Sequence, residues 1–113
     1  MILCTEHANN VHSSTHDPTQ INQVTTIKCT GAIELAAGYL DLYFYTSQRG
    51  WVLYDDKHFD VGPGVRFAPQ INEPCETGMY YVVALGTVLF PEGYEPNPQS
   101  FRIQSNVSTI SRC

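Results

Sequence analysis

Positive charge is scarce in this chain. Of its 113 residues only 6 are Lys or Arg, against 11 Asp or Glu, for a formal net charge of −5. Lys28, Arg49, Lys57, Arg66, Arg102 and Arg112 are scattered. With no basic stripe to follow a phosphate backbone, nucleic-acid binding is not expected. Long apolar runs are missing too: nothing approaches the ~20 residues a helix needs to cross a bilayer, so no membrane insertion is expected. There is no Cys-x-x-Cys pair to start a zinc ribbon, and no Gly-x-Ser-x-Gly elbow to carry a nucleophilic serine. Lys, Glu and Leu are few against 7 Tyr, 5 Phe and 1 Trp, a balance that disfavours both helix and disorder. Met1-Ile2-Leu3 is too short for a secretory leader and has no basic segment before it, so the chain reads as a mature form with its leader removed.

What is present points to one small domain. Cys4, Cys29, Cys75 and Cys113 are an even number at wide spacing in a short chain, which favours two disulfides and an oxidising compartment. The organising stretch is Cys75 to Phe90. It opens on a Thr77-Gly78 turn and continues through Tyr80, Tyr81, Val82, Val83 and Val88. Aromatic and β-branched side chains suit a pleated surface, so this run predicts the central strand.

The remaining segments predict shorter strands around it. Residues 1–18 are polar, end at Pro18, and read as an N-terminal arm or edge segment; residues 19–113 form the domain proper. An arm of this kind could lend a strand to a partner's sheet. Ile21, Gln23, Thr25, Ile27 and Cys29 share one parity, as a half-buried strand does. The stretch from Gly31 to Gly38 reads as a connection. Leu40, Leu42 and Phe44 then alternate with Asp41, Tyr43 and Tyr45, and Arg49-Gly50 turns the chain into Trp51-Val52-Leu53-Tyr54. Residues 55–64 (DDKHFDVGPG) predict a loop. Val65 opens a further strand, and the last one alternates through Phe101, Ile103, Val107 and Ile110. About seven antiparallel strands with frequent turns make an all-β, immunoglobulin-like Greek-key β-sandwich.

One local motif supports that choice. Glu76-x-Gly78-x-Tyr80 resembles the corner that opens strand F of immunoglobulin domains, which implies that the Tyr80 hydroxyl bonds back to the corner backbone. Val82 stands where such domains carry a buried cysteine, and no tryptophan occupies the usual strand C position, so the likeness is of fold. In that topology the four cysteines are expected at one pole, where proximity leaves all three pairings open. Cys29–Cys75 with Cys4–Cys113 is favoured, the second bridge tying the termini. More broadly, His12-x3-His16, Ile21-Asn22-x-Val24, Cys29, Cys75-x-x-Gly78-x-Tyr80, Phe90-Pro91-x-Gly93-Tyr94 and Cys113 resemble small secreted disulfide-bonded proteins of actinobacteria. That resemblance implies a secreted β-sandwich and no assigned chemistry.

No catalytic set emerges. Cys4, His7, His12, His16 and Asp17 have ligand chemistry but match no standard metal spacing. Asp55, Asp56, His58 and Asp60 hint at a calcium loop or an acid–base cluster, but Lys57 intrudes and a solvated turn is the plainer reading. No enzyme, cofactor or metal is expected. The candidate binding residues are aromatic: Tyr43 and Tyr45 on the parity opposite the Leu/Phe side, with Trp51 and Tyr54 across the turn. Either these rings form an outward patch suited to a protein or a glycan, or both faces are covered and the tyrosines border the core. The expected function is a secreted, non-enzymatic interaction or adaptor module that binds another secreted protein or itself. The alternative is a small carbohydrate-binding or hydrolytic protein using the aromatic face and the acidic residues 55–60.

Overall fold

The alternating segments do become strands. The structure, a computed structural model describing residues 1–113, has ten strands and no helix. They are β1 (Cys4–Ala8), β2 (His12–Ser13), β3 (Gln20–Ile33), β4 (Leu35–Thr46), β5 (Gly50–Val61), β6 (Gly64–Phe67), β7 (Gln70–Pro74), β8 (Gly78–Leu89), β9 (Gln99–Gln104) and β10 (Ser108–Ile110). Every pairing is antiparallel. β3 lies between β1/β2 and β6/β7 in one sheet, while the other runs β9/β10, β8, β4, β5. β1 with β2, β6 with β7, and β9 with β10 each fill one strand position, which leaves seven. This is the all-β sandwich expected from the turn spacing.

The core lies between the sheets. Ile21, Ile27 and Ile33 of β3 and Ile71 of β7 meet Ala36, Leu40 and Leu42 of β4, Phe59 of β5, and Tyr80, Val82, Ala84 and Val88 of β8. Each set has a single parity along its strand, because successive side chains point to opposite faces. Tyr80 is fully buried, donates its hydroxyl to the Glu76 carbonyl (2.6 Å) and accepts from the Glu76 amide (3.2 Å). The corner inferred from Glu76-x-Gly78-x-Tyr80 therefore closes as the motif implied. Gly78 has φ +146° and lies against the Phe44 ring, so a side chain would be strained and crowded there.

Several segments are more regular than their composition suggests. β3 continues through Gly31 to Ile33, and Glu34 alone separates it from β4. The glycines there serve close approach instead of turning. Gly38 and Gly86 face each other in the β4–β8 ladder, and a Cβ on Gly38 would meet the Leu85 carbonyl and the Gly86 backbone. Beside the pair, Phe59 opposes Gly38 from β5 and Phe101 opposes Gly86 from β9. Residues 55–61, expected in a loop, extend β5 opposite Ala36–Leu42. Their charges decorate an edge strand whose buried anchor is Phe59.

The N-terminal segment also joins the domain. β1 pairs with β3 from Cys4↔Cys29 to Ala8↔Thr25, β2 pairs with β3 at Asn22 and Ile21, and Ala8 and Val11 are buried. Its strands are thus edge strands of this chain's own sheet. Where β1 gives way to β2, buried Gln23 fills the gap by donating to the Asn9 carbonyl (3.1 Å) and to Thr25 Oγ1 (3.0 Å). Buried polar groups need such partners, and no buried side-chain polar atom lacks one. Ser105 plays a similar part between β9 and β10, its hydroxyl accepting from the Val82 amide (2.9 Å).

The disulfides correct the favoured pairing. Cys4 bonds Cys29 and Cys75 bonds Cys113. The four cysteines do not share a pole. Cys75 donates its amide to the Thr19 carbonyl at the start of β3, whereas Cys29 lies near that strand's other end. Ten residues of extended chain separate Thr19 from Cys29, about 33 Å, far beyond the reach of a bridge. Cys4 is instead directly across the ladder from Cys29, with Cα atoms 4.0 Å apart. The bridges close separations of 25 and 38 residues. On the chain-entropy estimate each contributes about 3–4 kcal/mol.

Strand length sets the shape. A 14-residue strand such as β3 spans about 46 Å, close to the longest dimension of 49 × 30 × 19 Å. The radius of gyration, 15.3 Å, exceeds the about 13 Å of a compact chain this long. A slab this thin presents two broad outer faces.

Two outcomes follow. Non-reducing tryptic mapping, with cleavage after Lys28 and Arg112, should yield only Cys4–Cys29 and Cys75–Cys113 fragments; a Cys29–Cys75 fragment contradicts the topology. Tyr80→Phe keeps the ring but loses both corner bonds, and urea unfolding should register a loss of about 1–3 kcal/mol.

Candidate functional site

The two outer faces differ in chemistry. On the β3 sheet, Asn22, Gln70 and Asn72 form an amide ladder, the Asn22 side chain donating to Gln70 and Asn72 at 2.8 Å each. His12, His16 and Asp17 join them around a polar depression of about 460 Å³. On the other sheet, Tyr43 and Tyr81 stack with ring centroids 4.9 Å apart. Trp51 meets Tyr81 edge to face at 4.7 Å and Tyr45 at 5.4 Å. Tyr39 continues the face toward His58 at 5.2 Å.

Register produces this cluster. Tyr45 opposes Trp51, and Tyr43 opposes Leu53 on one side and Tyr81 on the other. All are on the parity opposite Leu40, Leu42 and the core residues Tyr80, Val82, Ala84 and Val88 of β8, so they point away from the core. They also reach solvent: Tyr39 is 46% exposed, Tyr45 41%, Trp51 37% and Leu53 53%. Edge-to-face and offset contacts of this kind contribute about 0.5–1.5 kcal/mol beyond area burial, which holds the rings in place before any ligand arrives.

Tyr54 departs from the expected patch. The β4–β5 ladder shifts register between Leu42 and Tyr43, so Leu42 faces Asp55 and Tyr43 faces Leu53, with Tyr54 as the extra residue. Alternation from outward Trp51 and Leu53 puts Tyr54 on the inner side, against Phe44 (5.8 Å) and Tyr80 (6.2 Å), with its hydroxyl donating to the Pro74 carbonyl (3.1 Å). Burial, followed by the charges of Glu76 and Asp55, raises its hydroxyl pKa. Tyr54 is a packing residue. Tyr43, Tyr45 and Trp51 are brought together on the outside, joined by Tyr81, Tyr39 and Leu53. Tyr39 shares parity with Tyr43 in the sequence. Tyr81 becomes a neighbour only once the β4–β8 register is known.

Acidic residues border the rings. Asp41 directly opposes Asp56 across the ladder, next to Tyr43 and Tyr39. Partial burial, reinforced by the Asp56 charge, raises the Asp41 pKa above its ordinary 3.8. Beyond Asp41 the face dips into a shallow hollow of about 380 Å³ above the Gly38–Gly86 pair, lined by Tyr39, Leu85 and Arg102. The histidine-rich N-terminal cluster holds no free thiolate, because Cys4 is bonded to Cys29. No three His, Cys, Asp or Glu side chains converge closely enough to hold a metal ion.

No protein-family model matches this chain, and neither a curated protein nor a solved structure matches it. The geometry of the face stands on its own.

The acidic pair has a measurable consequence. A carboxyl whose folded pKa is raised favours folding below its unfolded pKa of about 3.8, and that contribution is lost as pH rises through the folded value. Asp41→Asn removes the repulsion with Asp56, so the variant should be the more stable protein at neutral pH. The advantage should shrink as pH falls through the raised folded value and reach its minimum below 3.8. Thermal melts across that range check it, and an advantage that grows on acidification contradicts the assignment.

Proposed function

We propose that the chain is a secreted, non-enzymatic interaction module, a component of an extracellular assembly that binds a protein partner through the outer face of the β8–β4–β5 sheet. One observation carries this reading. Tyr43, Tyr45, Trp51 and Tyr81 form a single ring-to-ring cluster on an outward face, while the opposite outer face is polar. Clustered Tyr and Trp supply large area at low entropic cost and dominate binding energy where proteins meet. Two disulfides accord with an oxidising, extracellular setting. No helix is long and apolar enough to cross a membrane. The non-enzymatic half is supported by Asp41 and Asp56 standing side by side on an open strand surface and not across a cleft.

The Asp41–Asp56 pair beside Tyr39 and Tyr43 favours a second reading, glycan binding. Aromatic rings pack on the apolar face of a sugar while carboxylates accept its hydroxyl protons. The resemblance to small secreted actinobacterial proteins fits either reading.

Immobilised protein exposed to the extracellular fraction of its source distinguishes them. The first reading expects a stoichiometric protein partner, with Tyr45→Ser and Trp51→Ser each weakening capture by about 30-fold or more while circular dichroism stays unchanged. Capture of glycan alone, weakened by Asp41→Asn, favours the second. Recovery of neither, or turnover of a saccharide that dies with Asp56→Asn, contradicts the proposal.

A further inference from the structure

The β3 sheet has a concavity of its own, on the outer face opposite the aromatic cluster. Asn22 and Val24 alternate with buried Ile21, Gln23 and Thr25 of β3, and Gln70 and Asn72 flank buried Ile71 of β7, so all four stand outward. Register sets them side by side. Asn22 has His12 across the ladder on one side and Asn72 on the other, and Val24 opposes Gln70. The turn at residues 14–17 borders this floor and adds His16 and Asp17 to the depression of about 460 Å³. It is held there by the Ser14 amide donating to the Gln20 carbonyl (2.9 Å) and the Gln20 amide donating to the Asp17 carbonyl (3.0 Å). Small-molecule sites span about 300–1,000 Å³, so the depression has the size of one.

Its hydrogen-bonding groups are fixed but not saturated. Asn22 spends both side-chain N–H groups on Gln70 Oε1 and Asn72 Oδ1, at 2.8 Å each, which orients all three amides. Gln70 and Asn72 therefore keep both of their own N–H donors for a ligand, and Asn22 keeps its carbonyl oxygen. A carbonyl can only accept, so His12 donates Nδ1–H to Ser13 (2.8 Å), and Nε2 of the neutral ring is left as an acceptor. Asp17 commits Oδ1 to the amide and hydroxyl of Thr19 and keeps Oδ2.

We propose that this depression binds a neutral saccharide unit, at a site separate from the aromatic face. Its chemistry disfavours the rival ligands in turn. No Lys or Arg lines it, and the Asp17 carboxylate repels an anion such as phosphate. A cation would meet the N–H donors of Gln70 and Asn72, and no three ligating side chains converge. A nucleobase or an apolar peptide side chain needs an apolar wall, and Val24 is the single apolar residue of the lining. Hydroxyls on neighbouring carbons of a sugar ring each donate and accept, so such a ring uses both sets of groups at once.

Two-dimensional ¹⁵N NMR of the intact, oxidised protein tests this. The side-chain amides of Asn22, Gln70 and Asn72 report on the depression, and the Trp51 indole reports on the opposite face. The probes are glucose, mannose, galactose and N-acetylglucosamine, each titrated to about 50 mM, with inorganic phosphate for comparison. At least one saccharide should shift the three amides with a Kd of about 1 mM. Gln70→Ala and Asn72→Ala should each raise that Kd about fivefold or more, read from the remaining amides. Both residues are exposed, and an otherwise unchanged spectrum shows that the fold is retained. Amides that no saccharide moves overturn the inference. So do shifts confined to Trp51, shifts that phosphate produces equally, and a Kd indifferent to both substitutions.

Discussion

Backbone pairing of β4 with β8, in register from Leu35↔Leu89 to Phe44↔Tyr80, is the constraint from which both faces of the long sheet follow. Because side chains alternate strictly along a strand, one ladder sends Leu40, Leu42, Tyr80, Val82 and Ala84 inward, and it sends Tyr43 and Tyr81 outward as neighbours. A slip of one residue would exchange core and surface on either strand. The Gly38–Gly86 pair makes that register hard to leave. Its two backbones approach too closely for any side chain, and both flanking strands place a phenylalanine at the same level. Core and candidate interaction surface are two consequences of one set of hydrogen bonds.

That coupling explains how an aromatic surface can be rigid on a small domain. A tyrosine outside a loop-built site would lose rotamer freedom on binding. Here Tyr43, Tyr45, Trp51 and Tyr81 brace one another on strands whose far sides are buried, so little ordering remains to be done when a partner arrives. The polar face across the sandwich, with its Asn22–Gln70–Asn72 amide ladder, offers no comparable apolar area. Its contrast with the aromatic face gives the slab a direction.

Strand parity was the most legible part of the sequence. The alternation from Ile21 to Ile27, the Leu40–Tyr45 alternation and the Glu76-x-Gly78-x-Tyr80 corner each specify local geometry through a short-range rule, and the folded chain obeys all three. Long-range facts were less legible. Gly31 and Gly38 look like turn residues because glycine marks both turns and close backbone approach, and the second use depends on Ile2 and Gly86, residues distant in the chain. Residues 55–61 look like a loop because charges on an edge strand resemble charges in a turn. Tyr54 faces inward by simple alternation from Trp51 and Leu53, a parity the sequence carried, whereas the bulge that resets the parity of Asp55 onward appears only in the pairing with β4. The cysteine pairing depended on which pole each strand end occupies, and β3 carries Cys29 about 33 Å from the pole where Cys75 meets Cys113.

The central claim is that the aromatic face stays open in the free chain. Trp51 is the single tryptophan and stands within that face, so its fluorescence reports on the face alone. Acrylamide quenching of dilute, natively folded protein is the direct test. The account predicts red-shifted emission with quenching near that of a solvent-accessible indole. Blue-shifted emission that resists acrylamide would mean that the chain itself covers the face, and would contradict the account.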